Sequence, residues 1–355
     1  MSQKDHYVPQ FLLRNFSIEK NVGQSGLVYI YKKPFIVRPR EGSIAKHAAN
    51  EPDFYEGRDA ITKQPTKITD DIYREIEKGK NAPSVIRKIL TQEGQISLSF
   101  EEESIMATMV AHQYTRTKRF RGKINRFLAF LLDSGYILKE DLGDREKIKE
   151  LVVKNKFNIS PKQIALHFSK RRVSLSGTKG QELFIAPHIA ECIVEEIYNK
   201  NLHSIIAPQG SYFIISDDPV CVIGKDDDLL EINNLWNFKR DDGYSFILPI
   251  SPRKAVVFGN NAEKYRQISD GNSGSLVVMV NSLSVNNTNE EFYSHTDNFM
   301  RDYKRHLITP GRLLSYKKGL EEIKNNPIKR VKFFTKYCIW KLKTVLIGLL
   351  ELLRR

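Results

Sequence analysis

His6, Gln10 and Arg14 open the chain at a spacing that could place three polar side chains together. Pro9 suits the first position of a helix, where its missing N–H costs nothing. Gln10 and Arg14, four residues apart, then share one helical face, while Phe11, Leu12 and Phe16 dock the segment. A histidine just ahead of a helix start has its ring near partly positive N–H groups, which favours its neutral, proton-accepting form. His6 and Gln10 could equally satisfy backbone groups and act as a structural plug.

A second constellation lies further along. Ile105 and Met109 begin a helical row that continues into His112 and Arg116, and Met106 and Val110 begin the neighbouring row, which continues into Gln113 and Thr117. An apolar stripe that turns polar without rotating either leaves the core or carries a buried polar site. If buried, each neutral group needs a partner, with about 1–3 kcal/mol at stake, and Arg116 needs one more strongly. Glu77, Asp217 and Asp218 are residues of the right kind. The third element, Ser216-Asp217-Asp218-Pro219, follows a strand-like run. Acids at a strand end suit metal or acid/base work, yet the same four residues are ordinary turn chemistry, with Asp capping its own backbone and Pro setting φ. Asp226, Asp227 and Asp228 read as a solvated loop.

Together these residues describe a hydrolase for phosphodiesters or nucleotides, a nuclease-like effector. His6 or His112 would serve as acid/base, with Gln10 and Asp217 completing the catalytic group. Glu77 and Asp217 would hold a divalent metal or orient water. Arg14, Gln113 and Arg116 would hold phosphate, because the guanidinium fork matches that group. The rival reading is a non-catalytic binding or scaffold protein that uses the same polar cluster as a structural network. P-loop, Rossmann, HExxH, GxSxG and kinase signatures do not occur in the sequence.

The elements that must position these residues read as α+β: a mixed sheet, a large helical block and a C-terminal amphipathic helix. Strand-like runs at Leu27–Lys32 and Phe35–Arg38 suggest a hairpin around Lys33-Pro34. Helices are expected from Ile68, with Thr69 as N-cap, and from near Pro83. A longer one starts after Ser99, whose capping box with Glu102 satisfies two orphan N–H groups, and runs past Phe120 into Phe127–Leu132. Further helices are expected at Asp144–Lys154, Pro161–Lys170, Gln181–Asn199, Ser275–Leu283 and Glu290–Tyr303. Tyr212–Ile215, Val220–Ile223, Tyr244–Ile250 and Ala255–Phe258 read as strands of one sheet.

The 355 residues are 41% hydrophobic and 28% charged, enough for a substantial core. The opening Met-Ser-Gln-Lys-Asp-His has no apolar stretch of a secretory signal, and Cys192, Cys221 and Cys338 form no CxxC pair. A reducing cytoplasm is the expected setting. The net charge is +14, and half of it falls in residues 327–355, where eight Lys or Arg face one acid, Glu351. That segment reads as a basic amphipathic helix appended to a single 1–326 domain. It is too short in apolar length to span a bilayer, but suited to a partner, a nucleic acid or an anionic membrane surface.

The string His6-Tyr7-Val8-Pro9-Gln10-Phe11-Leu12-Leu13-Arg14-Asn15-Phe16 resembles the signature of a widespread bacterial family, domain of unknown function 4238. Glu77, Gln113-Tyr114-Thr115-Arg116-Thr117, Ile215-Ser216-Asp217-Asp218-Pro219-Val220, Leu248-Pro249-Ile250-Ser251-Pro252 and the Asn281 segment extend the resemblance over roughly residues 5–300. The family's Ser-Asp-Asn-Pro becomes Ser-Asp-Asp-Pro here, so Asp218 departs from the pattern and Asp217 keeps it. The resemblance implies no established activity; it marks positions to weigh.

Overall fold

Leu27–Lys32 is a β-branched and aromatic run whose burial alternates over its first four residues, as a strand between two layers requires. In the computed structural model it is the strand β2, and one of its partners is β3 (Arg40–Ser43), with Leu27 opposite Ser43 and Ile30 opposite Arg40. The structure describes residues 4–18, 26–33, 38–52, 54–55, 57–58, 65–66, 68–93, 96–138, 147, 181–223, 244–260 and 273–300. All lie within one compact unit, Met1–Leu307. Residues 35–37 of the expected hairpin, the helix at Pro161–Lys170, the Asp226–Asp228 loop and the tail at 327–355 lie outside the described residues. So does the helix at Asp144–Lys154 apart from position 147.

The chain opens with β1 (Lys4–His6) and the short helix α1 (Gln10–Arg14). Pro9 caps α1 rather than beginning it: it is extended, and its carbonyl accepts from the Leu12 and Leu13 N–H groups. Val8, Leu12, Leu13 and Phe16 are fully buried, so the opening motif is docked as its pattern predicts. After β3 come α2 (Ile44–His47) and β4 (Asn50–Pro52), which pairs antiparallel with β1. Ala49, between them, has φ of 46°, and its N–H donates to the buried Tyr293 hydroxyl at 2.7 Å. That bond holds a left-handed conformation that a non-glycine residue seldom adopts. The two-residue strands β5 (Gly57–Arg58) and β6 (Pro65–Thr66) pair with each other.

The helical block follows: α3 (Ile68–Ile76), α4 (Ala82–Thr91), α5 (Phe100–Thr115), α6 (Lys118–Asp133) and α7 (Gln181–Tyr198). Thr69 lies inside α3 and does not cap it. The capping box forms at the start of α5: the Ser99 hydroxyl accepts from the Glu102 N–H, and the Glu102 carboxylate accepts from the Ser99 N–H. The single long helix expected from Ser99 to Leu132 is two. The chain breaks at Arg116, and Thr117 starts α6 by accepting the Phe120 N–H. The apolar pattern continues across the break because both helices face one core, in which α5 packs along α7.

Strands dominate the rest. The ones expected in one mixed sheet divide between two antiparallel sheets. β7 (Leu202–Ile206), β11 (Lys254–Phe258), β10 (Ser245–Ser251) and β9 (Cys221–Ile223) form the first. β3, β2, β12 (Glu291–Ser294) and β8 (Ile215–Ser216) form the second. β12 lies where a helix is expected: Phe292 faces Tyr31 across the ladder, with ring centroids at 4.6 Å, and Tyr293 points to the other face. All four of its residues are buried, so neighbours on both sides override a locally helix-like run. The helix α8 (Ser273–Asn287) packs on β8 and β9. Among the described residues, no helix is long and apolar enough to cross a membrane.

Candidate functional site

Gln113 and Arg116 lie at the C-terminal end of α5, buried to 1% and 3% exposure, and each reaches back to the backbone of the opening motif. Gln113 Nε2 donates to the Tyr7 carbonyl at 3.0 Å, and Arg116 Nη2 donates to the His6 carbonyl. The Tyr55 hydroxyl donates to the same His6 carbonyl at 3.0 Å, while the Tyr55 N–H donates to Asp5 Oδ2 at 3.1 Å. Arg116 Nη1 meets Glu77 Oε1 at 2.7 Å. The guanidinium lies over the Tyr73 ring, 4.5 Å from its centroid, and near the Tyr55 ring at 5.6 Å. Burial opposes the charge on Arg116, but Tyr55, Glu77 and Tyr73 more than offset it and raise its pKa.

His6 sits above this clamp. Its Nε2 lies 3.1 Å from the Ile44 carbonyl, which can only accept, so Nε2 carries the proton. Nδ1 then accepts from Gln10 Nε2 at 3.3 Å, and Gln10 Oε1 accepts from Arg14 Nη2 at 3.1 Å. Burial lowers the His6 pKa, against smaller raising effects from the Ile44 bond and Glu77, so the ring is neutral near pH 7.

These residues border a cleft of about 380 Å³ lined by Asp5, His6, Gln10, Phe11, Arg14, Tyr55, Tyr73, Arg74, Glu77 and Arg116. Arg14 and Arg74 are exposed, Asp5, His6, Gln10 and Glu77 are half-buried, and Tyr55, Tyr73 and Arg116 are buried. Five expected site residues thus meet here: His6, Gln10, Arg14, Glu77 and Arg116. Asp5, Tyr55, Tyr73 and Arg74 were not singled out from sequence, and Phe11 only as a residue that docks the segment. Tyr73 and Glu77 stand four apart at the end of α3 with Arg74 between them, a spacing that could have drawn attention to that face.

The other expected residues lie elsewhere. Gln113 does not line the cleft, because its amide holds Tyr7. His112, 5% exposed, packs edge-on to Tyr73, and its Nδ1 has no hydrogen-bond partner among the described residues. Asp217 also lies outside the cleft lining. Its Oδ1 accepts from the Asn289 N–H at 2.8 Å, and its Oδ2 accepts from Glu290 and Glu291 at 2.6 and 3.0 Å. Burial raises the Asp217 pKa, opposed by those three donors. The metal pair Glu77 and Asp217 is therefore not assembled: one carboxylate is held by Arg116, the other by the turn before β12. Among the described residues, no group of three or more His, Cys, Asp or Glu is arranged to hold a metal ion.

Asp218 is structural too. The Ser216 hydroxyl donates to the Asp218 carbonyl at 2.7 Å, which is turn chemistry, and Thr117 Oγ1 donates to Asp218 Oδ1 at 3.0 Å. The strand-end motif is thereby tied to the α5–α6 break. Two further motif residues act similarly: Asn15 donates to the Ile250 carbonyl at 2.9 Å, and Asn281 bridges the Tyr212 carbonyl and the Ile214 N–H.

His112 and Asp218 give opposite pH dependences. Burial, aided by Arg116, pushes His112 down to about 4 from 6.5. Its contribution to stability is present above pH 6.5 and lost as pH falls towards 4. Burial pushes Asp218 up to about 6 from 3.8, against Arg119 and Lys123. Its contribution is full below pH 3.8 and lost as pH rises through 6. In the wild type the two slopes oppose each other. Asp218→Asn is therefore expected to be more acid-sensitive than the wild type, by on the order of 2–3 kcal/mol between pH 7 and 4. Urea midpoints at the two pH values measure this, and parallel profiles would refute it.

Searches of curated proteins and of solved structures return no match. One family, described as Protein of unknown function (DUF4238), matches residues 4–298, a span that contains the cleft and every tie between the motifs described above, and the chain belongs to that family.

Proposed function

We propose that the cleft is the working site of the protein and that it hydrolyses a phosphate-bearing substrate, a nucleotide or a phosphodiester. One observation carries the reading: His6, Gln10 and Arg14 of the opening motif, Glu77 and Arg116, from three distant stretches of the sequence, border one open recess. Arg14 and Arg74 at its mouth give the positive field that draws a phosphate. His6 is neutral and oriented by Ile44, so Nδ1 is its basic nitrogen. The Gln10 contact on Nδ1 is long, at 3.3 Å. A ligand that draws Gln10 away frees Nδ1 to take a proton from water. Glu77 is held through Oε1 by Arg116, on the inner side of the cleft.

Binding without turnover is the second reading. It is favoured by the fact that both His6 nitrogens already have partners and Glu77 is already ion-paired. Turnover of bis(p-nitrophenyl) phosphate and of nucleoside mono- and triphosphates, with calorimetry on the same compounds, separates the two. Hydrolysis that falls about 100- to 10,000-fold in His6→Asn with Tm nearly kept supports the enzyme. Binding without hydrolysis supports the second reading, and neither binding nor hydrolysis removes both.

A further inference from the structure

The order of charges through the cleft carries more than its net sign. At the mouth stand the exposed Arg14 and Arg74; one layer in stand the half-buried Asp5 and Glu77; the wall behind is the buried Tyr55, Tyr73 and Arg116. Arg116, one of the three residues that the sequence assigns to phosphate, is engaged through both terminal nitrogens, and its Nε is buried with no hydrogen-bond partner among the described residues. Nη1 is on Glu77, Nη2 is on the His6 carbonyl, and both ring contacts cover its face. An anion pushed inward would face two carboxylates and a single buried cation already paired with one of them, Glu77.

The two carboxylates each have an oxygen to offer. Asp5 uses Oδ2 on the Tyr55 N–H and Glu77 uses Oε1 on Arg116, and the described residues place no hydrogen bond on Asp5 Oδ1 or Glu77 Oε2. A carboxylate oxygen accepts, so water in the open cleft satisfies these two, and a ligand that displaces that water must bring a hydroxyl or an amine in its place. At about 380 Å³ the cleft lies at the small end of the range for small-molecule sites. We infer, resting on the reading of the cleft as a phosphate site, that its ligand is a small phosphate monoester bound end-on. The phosphate stays at the mouth against Arg14 and Arg74, and a hydroxyl- or amine-bearing end points inward onto Asp5 and Glu77. A ribonucleoside monophosphate has this layout. A nucleic-acid strand, with phosphates along its whole length, does not.

Calorimetry at one fixed salt concentration tests this with adenosine 5′-monophosphate, its 2′,3′-dideoxy analogue, adenosine, and a single-stranded deoxyoligonucleotide. The monophosphate should bind, and removing the ribose hydroxyls should weaken it about 10- to 100-fold, the worth of hydrogen bonds to a charged acceptor. Asp5→Asn keeps an acceptor for the Tyr55 N–H and so keeps the fold; it should narrow the gap between the two nucleotides. Arg14→Gln with Arg74→Gln should weaken both nucleotides alike. Equal binding of the dideoxy analogue, or an oligonucleotide that binds more tightly and displaces the monophosphate, overturns the end-on inference and leaves the phosphate site standing. Adenosine binding as well as its monophosphate, or no binding by any probe at millimolar concentration, overturns both.

Discussion

Replacing Arg116 by alanine is expected to lower the stability of the fold by about 3–5 kcal/mol, the usual cost of breaking a buried ion pair from one side. Three losses combine. Glu77 is left without its counter-ion, although its side chain is 27% exposed and water recovers part of that cost. The His6 carbonyl loses one of its two donors, and the space over Tyr73 and near Tyr55 is vacated. For a body of this size that corresponds to a fall in Tm on the order of 5–15 °C. Arg116→Lys should recover only part of it, because an ammonium cannot serve Glu77 and the His6 carbonyl with a planar fork. Urea and thermal denaturation of both variants decide the point. A wild-type Tm in Arg116→Ala would mean that the guanidinium does not hold the opening motif, and would return Arg116 to the role of a ligand-binding residue.

That role is where sequence reading and structure part. The polar turn of the stripe into His112, Gln113 and Arg116 left two options open, and burial of all three selects the buried polar site over departure from the core. What spacing along one helix cannot convey is direction across the fold. Gln113 and Arg116 spend their donors on the carbonyls of Tyr7 and His6, more than 100 residues away in sequence. A carbonyl carries no signature in the sequence, so a residue that holds backbone looks the same as one that holds phosphate. The opening segment was more legible because its logic is local: a proline at the helix start, apolar residues beneath, polar ones on the outer face.

The elements divide on the same line. The Ser99 capping box and β2 depend on neighbours within a few residues, and both stand where expected. β12 depends on β2, about 260 positions earlier, and on β8; without those neighbours Glu290–Tyr303 carries the polar and apolar alternation of a helix. The split of the long helix at Arg116 and Thr117 was also hidden, because a threonine N-cap inside an unbroken apolar pattern is weak punctuation. The cleft itself was half visible. Its first helix face could be read from spacing, but Asp5, Tyr55 and Tyr73 enter through the pairing of β1 with β4 and the packing of α3 on α5.

Asp217→Ala should destabilise the protein about as much as Arg116→Ala, and Asp217→Asn less than Asp217→Ala but still by more than about 1 kcal/mol. The carboxylate closes the turn into β12 by accepting three backbone N–H groups, from Asn289, Glu290 and Glu291. Each donor orphaned in a buried setting costs about 1–3 kcal/mol. Asn289 and Glu290 are exposed residues and water can reach them in part, so the total falls short of three full penalties, at about 3–5 kcal/mol. An asparagine rescues this only in part: its amide oxygen can still accept from Glu290 and Glu291, but its other terminus is itself a donor. Turned either way, its NH₂ group confronts at least one of the N–H groups that both carboxylate oxygens now accept. Asp218→Asn is the contrast, since an amide oxygen can still accept the Thr117 hydroxyl that Asp218 accepts at 3.0 Å; near pH 7 it should keep Tm within a few degrees of the wild type. Neighbouring acids in one motif are thus expected to differ in their tolerance of the same substitution, measured by thermal denaturation at pH 7 beside the turnover assay. An Asp217→Asn variant that melts with the wild type yet loses all hydrolysis would show that Asp217 works on substrate and not on the turn.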